Sequence, residues 1–153
     1  MVARLHQETP VWQTFLSVHR QIVETLADQM KSDHRLPLEA FDVLIHLADV
    51  PERRLRQREL TDRLLLSDSG VSRLLARMAE AGLLERTTAD DDRRGVAVAM
   101  TDKGAETLVA ATGSHLDLVA QLFTDKLSAT ELIALEQILA KLDSKPADTS
   151  PQR

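Results

Sequence analysis

The feature that most constrains this chain is a change of hydrophobic period near its middle. From Leu83 to Thr101 the sequence reads LLERTTADDDRRGVAVAMT, with apolar residues alternating on either side of a polar turn. Period two is the signature of a half-buried strand, so this stretch predicts a β-hairpin. One strand is expected over Leu83–Thr87, the turn over Asp90–Gly95 and the return strand over Val96–Met100. Two strands alone are marginal in water, so the hairpin must pack on something else. The flanking segments supply it, because their apolar residues recur every 3.6 positions.

The helical segments can be read in order. Pro10 suits the first position of a helix over about 10–32, where a missing N–H costs nothing. Its apolar stripe is Trp12, Phe15, Leu16, His19, Ile22, Val23, Leu26 and Met30. Pro37 starts a second helix, over about 37–49. Its polar residues Glu39, Asp42, His46 and Asp49 form a single stripe, so it is mostly buried. Pro51 ends it. A short helix over 56–65 turns Leu60, Leu64 and Leu65 inward and lacks a capping residue at Arg56. Ser67 is a good N-cap for a helix running to Ala81, with Val71, Leu74, Leu75 and Met78 inside. Gly82 suits the left-handed position beyond its end. Thr101 caps a helix over 102–125, with Leu108, Ala111, His115, Leu118, Val119 and Leu122 on one face. Ser128 caps the last, with Leu132, Leu135, Ile138, Leu139 and Leu142 inward. Residues 1–9 read as a frayed arm and 144–153 as a polar, flexible tail.

Composition removes several classes of function. The chain has 153 residues, a length suited to one domain, and no cysteine, which excludes disulfides, thiolate metal sites and cysteine nucleophiles. No apolar run approaches the roughly 18 residues that span a bilayer. The first residues, MVARLHQETP, lack an apolar signal region, so a cytoplasmic protein is expected. The five glycines are scattered, with no phosphate loop. No nucleophile turn is present and the acidic pairs fall on solvated faces, so no enzyme is expected. The net charge of −5 argues weakly against a nucleic-acid partner. Its distribution does not: residues 51–103 hold eleven Lys/Arg against ten Asp/Glu, between acidic flanks.

The order helix, helix, turn, helix, hairpin is that of a winged helix-turn-helix, a mainly α (α+β) fold with about six helices here. The residues themselves resemble the multiple-antibiotic-resistance regulator (MarR) family of bacterial transcription factors. The resemblance runs from about Trp12 to Leu142. It rests on RQRELTDRLLLSDSGVSRLLARMAEAGLLER at 56–86, on DRRGVAVAMTDKG at 92–104, and on the flanking terminal helices. Thr61 and Met100 stand where the family often has Ala and Leu, and Asp90, Asp91 and Asp92 make an acidic wing tip.

The resemblance implies a single domain over 1–153. Dimerisation helices would span 10–50 and 102–143, with a DNA-binding lobe at 51–101. It implies a homodimeric repressor of double-stranded DNA that binds a pseudo-palindromic operator and is relieved by a small effector. The alternatives are a winged-helix module for protein contact and a small-ligand-binding protein. For DNA contact the candidates are Arg56, Arg58, Ser67, Asp68, Ser69, Gly70, Ser72, Arg73, Arg77, Asp92, Arg93 and Arg94. Arg73 and Arg77 lie one turn apart, where an arginine can grip guanine or phosphate. The bland reading is a solvated helix face. Ser67 and Asp68 could equally serve the helix end alone. The family's wing arginine maps to Arg94, with Asp92 orienting it; the bland reading is a soluble turn.

For the effector the candidates are Trp12, His19, Arg20, His46 and His115, which would take a small aromatic or anionic ligand. The plainer reading is two hydrogen-bonded core histidines and an exposed one. No cofactor and no metal are expected. The dimer interface is expected at Trp12, Phe15, Leu16, Leu118, Leu122, Leu132, Leu135 and Leu139.

Overall fold

The computed structural model describes residues 9–64, 66–89 and 92–143, with backbone alone at 9, 88–89, 92–94 and 143. The expectations for residues 1–8 of the arm, for Leu65, for Asp90 and Asp91 and for the tail lie outside the described residues, while residue 9 is helical. Six helices are described: α1 Thr9–His34, α2 Leu38–Ala48, α3 Gln57–Arg63, α4 Asp68–Glu80, α5 Asp102–Leu122 and α6 Ala129–Asp143. Three strands accompany them: β1 Arg54–Arg56, β2 Leu84–Ala89 and β3 Asp92–Met100. They form an antiparallel sheet in the order β1-β3-β2. The chain divides into two compact units, one up to Leu116 and one from Asp117.

The first unit holds the core. Met30 and Leu36 enter it from the end of α1, and α2 contributes Ala40, Phe41, Val43, Leu44 and Leu47. Leu60 of α3 and Val71, Leu74, Leu75 and Met78 of α4 fill the middle, as their spacing predicts. Leu55, Leu84 and Val98 bring the sheet onto the same cluster. This is how a small sheet becomes stable: each strand buries one apolar face on helices.

Two expectations about the sheet are corrected. The first concerns its size. Arg54–Arg56 is a third strand, pairing Leu55 with Val98. Three residues are too few to show a period, and their partner lies more than forty positions away. The second concerns the hairpin tip. The expected turn over Asp90–Gly95 is instead mostly strand, because Ala89 pairs with Asp92. A register break follows: Thr88 pairs with Val96, leaving Arg93, Arg94 and Gly95 between paired positions of β3. Extra residues on one strand are a bulge, which bends and twists the hairpin end.

Helix ends follow local rules. Arg35 takes a left-handed backbone (φ 53°) after α1. Thr101 Oγ1 accepts from Gly104 N at 3.0 Å. Ser128 and Glu131 cap each other: Oγ accepts from Glu131 N at 3.3 Å, and the carboxylate accepts from Ser128 N at 2.8 Å. The bond from Ser128 N, with a second donated by Ser128 Oγ at 2.8 Å, holds the Glu131 carboxyl below its ordinary value. In the unit from Asp117, no described side chain is buried. Leu118, Leu122, Leu132 and Leu135 are half-buried, while Ile133, Ile138, Leu139 and Leu142 are exposed.

Candidate nucleic-acid interface

The site is built on α3, α4 and the hairpin, all in the first unit. α3 starts one residue later than expected, because Arg56 belongs to β1 and has an extended backbone. An arginine side chain cannot accept a hydrogen bond. The helix start is closed from the other direction, by Glu59 Oε2 accepting from Arg56 N at 2.8 Å. Leu60, fully buried, pins this short helix to the core. It ends at Arg63, before Leu64, whose backbone is extended.

The turn leads into α4. Ser67 caps it, with Oγ accepting from Gly70 N at 3.2 Å. A Cβ on Gly70 would stand 3.2 Å from that same Oγ, so glycine leaves the cap room. Asp68 in the first turn complements the helix dipole. With Val71, Leu74, Leu75 and Met78 locked inside, Asp68, Ser69, Arg73 and Arg77 are exposed and Gly70 and Ser72 half-buried. Arg73 and Arg77 therefore project from one side of a helix that cannot rotate.

The hairpin is tied to this module by arginine. Arg54 Nη2 donates to Thr87 Oγ1 at 3.2 Å, and Arg86 Nη2 donates to Gln57 Oε1 at 3.3 Å. Arg56, Arg58 and Asp68 are brought together around a recess of about 460 Å³, with Gln57, Thr61, Asp62 and Val96 completing it. Asp92, Arg93 and Arg94 open β3; their side chains lie outside the described residues. Sequence reasoning missed Gln57 and Arg86, whose roles depend on a strand and a helix meeting.

The effector candidates separate into two groups. Trp12, His19 and Arg20 are exposed on α1. There Trp12 stacks on Phe15 (ring centroids 5.9 Å apart) and Phe15 on His19 (6.3 Å). His46 and His115 gather elsewhere, around Asp42. The His115 ring lies 4.7 Å from Phe41, and its Nδ1 is buried without a hydrogen-bond partner among the described residues. Burial pushes the Asp42 carboxyl up, against the pull of His46 and His115. Burial pushes His115 down, against the pull of Asp42.

The two groups do not meet within one chain. Residue 114 is met by the far end of α1: His34 Nε2 lies 2.7 Å from Ser114 Oγ, and Gln29 Nε2 donates to Ser114 O at 3.4 Å. His19 lies fifteen residues before His34, about 22 Å along the helix axis. Among the described residues no group of three His, Asp or Glu side chains could hold a metal. Asp42, Phe41, Gln29, His34 and Ser114 were not singled out from sequence, because a helical face says nothing about position along the axis.

At the proposed dimer surface, Trp12, Phe15 and Leu16 are uncovered in the single chain, at 57%, 46% and 39% exposure. No helix among the described residues is long and apolar enough to cross a membrane.

Comparison with known proteins agrees with this geometry. The MarR family model matches residues 36–95, from the start of α2 through the hairpin. The transcriptional repressor MprA of Escherichia coli (strain K12) is 32% identical over 105 residues, covering 69% of this chain. The chain spans 59% of the length of MprA in that match. A MarR family transcriptional regulator of Streptomyces coelicolor, solved in complex with DNA, superposes with a TM-score of 0.88 at 28% identity. That match covers 94% of this chain and 91% of the other. The chain belongs to the MarR family. A MarR mutant from E. coli, complexed with operator DNA, gives a TM-score of 0.79 at 25% identity, over 91% of this chain and 97% of the other. As a MarR-family chain it has the winged helix-turn-helix fold, with a third strand bracing the wing.

Proposed function

We propose that this MarR-family chain is a sequence-specific double-stranded DNA-binding regulator, a cytoplasmic homodimer that represses transcription until a small effector binds. The observation that carries the reading is Arg73 and Arg77, one turn apart on the exposed side of a helix whose other side is locked in the core. A helix so fixed can enter a major groove about 12 Å wide and hold two guanidinium groups against base edges. Arg56 and Arg58 then meet phosphate, and Arg93 and Arg94 reach the neighbouring minor groove from the wing. The names of relatives support this: one is a transcriptional repressor, and two structures hold DNA. None of the three is named as an enzyme.

Dimerisation is supported by the second unit, which buries no described side chain of its own. Two helices with that much uncovered Leu and Ile need a partner. A two-fold dimer implies half-sites about one helical turn apart. A small aromatic or anionic ligand is proposed to lodge beside Phe41, Asp42, His46 and His115, and to favour a lobe spacing that no longer matches the operator.

Fluorescence anisotropy tests the reading, with duplexes obtained by random-sequence selection and titrated at two salt concentrations. One pseudo-palindrome should bind tightly, with affinity falling steeply as salt rises. Arg73→Ala should weaken that binding and relax preference at one base position, while Arg94→Ala should lower affinity across sequences and reduce the salt slope. The absence of any preferred duplex would favour the protein-contact module instead. A true effector must bind more weakly to the operator complex, by the same factor by which it weakens operator binding.

A further inference from the structure

The exit of α4 is gripped by the entrance of α5. The helix ends in a Schellman arrangement: Leu83 N donates to Met78 O and Gly82 N to Ala79 O, both at 2.9 Å. Gly82, at φ 74°, makes the left-handed turn this needs. The three consecutive carbonyls of Ala81, Gly82 and Leu83 all accept from residues 101–103. Lys103 Nζ donates to Ala81 O at 2.6 Å, Thr101 Oγ1 to Gly82 O at 2.7 Å and Thr101 N to Leu83 O at 3.2 Å. Gly104 completes the fit, because a Cβ there would run into the Leu83 carbonyl oxygen.

We propose that Thr101 and Lys103 are positioning residues for DNA recognition, which aim Arg73 by clamping the far end of α4. This rests on the regulator reading above. Its physical basis is a lever. Arg73 lies eight residues before Ala81, about 12 Å along the axis. A tilt of about 10° at the exit would move it by about 2 Å, well beyond the ~0.5 Å within which a preorganised contact works. Arg77 lies half as far from the clamp and moves half as much. Loosening the clasp therefore removes discrimination at the base pair read by Arg73 before it removes general affinity for DNA.

Thr101 has two roles, and one substitution separates them. Its Oγ1 both accepts from Gly104 N, capping α5, and donates to Gly82 O. Thr101→Asp keeps an acceptor for the cap and has no proton for Gly82 at neutral pH. Thr101→Ser keeps both bonds. Lys103→Met keeps the exposed stem and loses the donor. The readout is the ratio of affinities for the selected duplex and for a scrambled one, with thermal midpoints measured alongside. A charge effect or a lost phosphate contact changes both affinities together, and a lost phosphate contact also lowers the salt slope by about one.

Thr101→Ser should leave the ratio within about twofold of the parent protein. Thr101→Asp and Lys103→Met should each lower it roughly threefold to tenfold, the range set by one net hydrogen bond. Neither should lower it further once Arg73→Ala is present, because the effect runs through that side chain. An unchanged ratio in both variants, or an equal drop in the Arg73→Ala background, overturns the inference while leaving the regulator reading intact. A parent protein with no preferred duplex overturns both.

Discussion

Three glycines placed in three different geometries give one substitution three different outcomes. Gly113 lies inside α5, is exposed, and has nothing within 4 Å of where a Cβ would stand. Alanine there costs no contact and removes freedom from the unfolded chain, so Gly113→Ala should stabilise by about 0.5–1 kcal/mol. Gly82 has φ 74°, and its nearest neighbour, the Lys103 stem, would be an ordinary 3.8 Å away. Only the left-handed backbone penalises a side chain, so Gly82→Ala should cost about 1–2 kcal/mol. Gly104 would drive a Cβ into the Leu83 carbonyl and within 2.9 Å of Met100 Cγ. The backbone obstacle cannot rotate away, which puts Gly104→Ala at about 3 kcal/mol or beyond, the upper end for overpacking. At about 2–4 °C per kcal/mol for a chain this long, calorimetry at one fixed protein concentration resolves all three. The midpoints should fall in the order Gly113→Ala, parent, Gly82→Ala, Gly104→Ala. A destabilised Gly113 variant, or a Gly104 variant as stable as the parent, would refute the reasoning.

Other sites give equally direct expectations. Ser67→Ala should cost about 1 kcal/mol in urea unfolding by leaving Gly70 N without its cap, and Ser67→Asp should restore the loss. Asp42 has a raised value in the folded protein, so its favourable contribution is present at low pH and lost as pH rises through that value. Asp42→Asn should therefore stabilise at pH 7 and give no gain once the pH falls below the ordinary carboxylate value of 3.8. His115 has the opposite sense: its folded value is lowered, so stability falls as pH drops below 6.5, and His115→Gln should flatten a midpoint-against-pH curve there. Leu135→Glu should convert the proposed dimer to monomer or insoluble protein in sedimentation, by placing a charge where the second unit needs apolar cover.

What could be read from the sequence, and what could not, divides by distance along the chain. Ser67, Gly82, Thr101 and Ser128 were legible as caps because each rule involves a residue and its near neighbours. The inward face of α4 was legible because four apolar residues at helical spacing leave one way to turn. β1 was not, since Leu55 becomes a strand residue only through Val98. Grouping His19 with His46 and His115 depends on pairing of the same long-range kind. Helical faces assign His19 and His115 to the apolar stripes of their helices, but the contact of His34 with Ser114 sets where along α1 the helices meet. Nor could the clasp be seen, because Lys103 reaches a carbonyl twenty-two positions earlier. The side chains expected to touch DNA are thus specified by local pattern, whereas the groups that hold them in place come from pairings the pattern does not encode. A substitution that leaves every expected contact residue intact can still misdirect Arg73, and the place to look for it is the junction of α4 and α5.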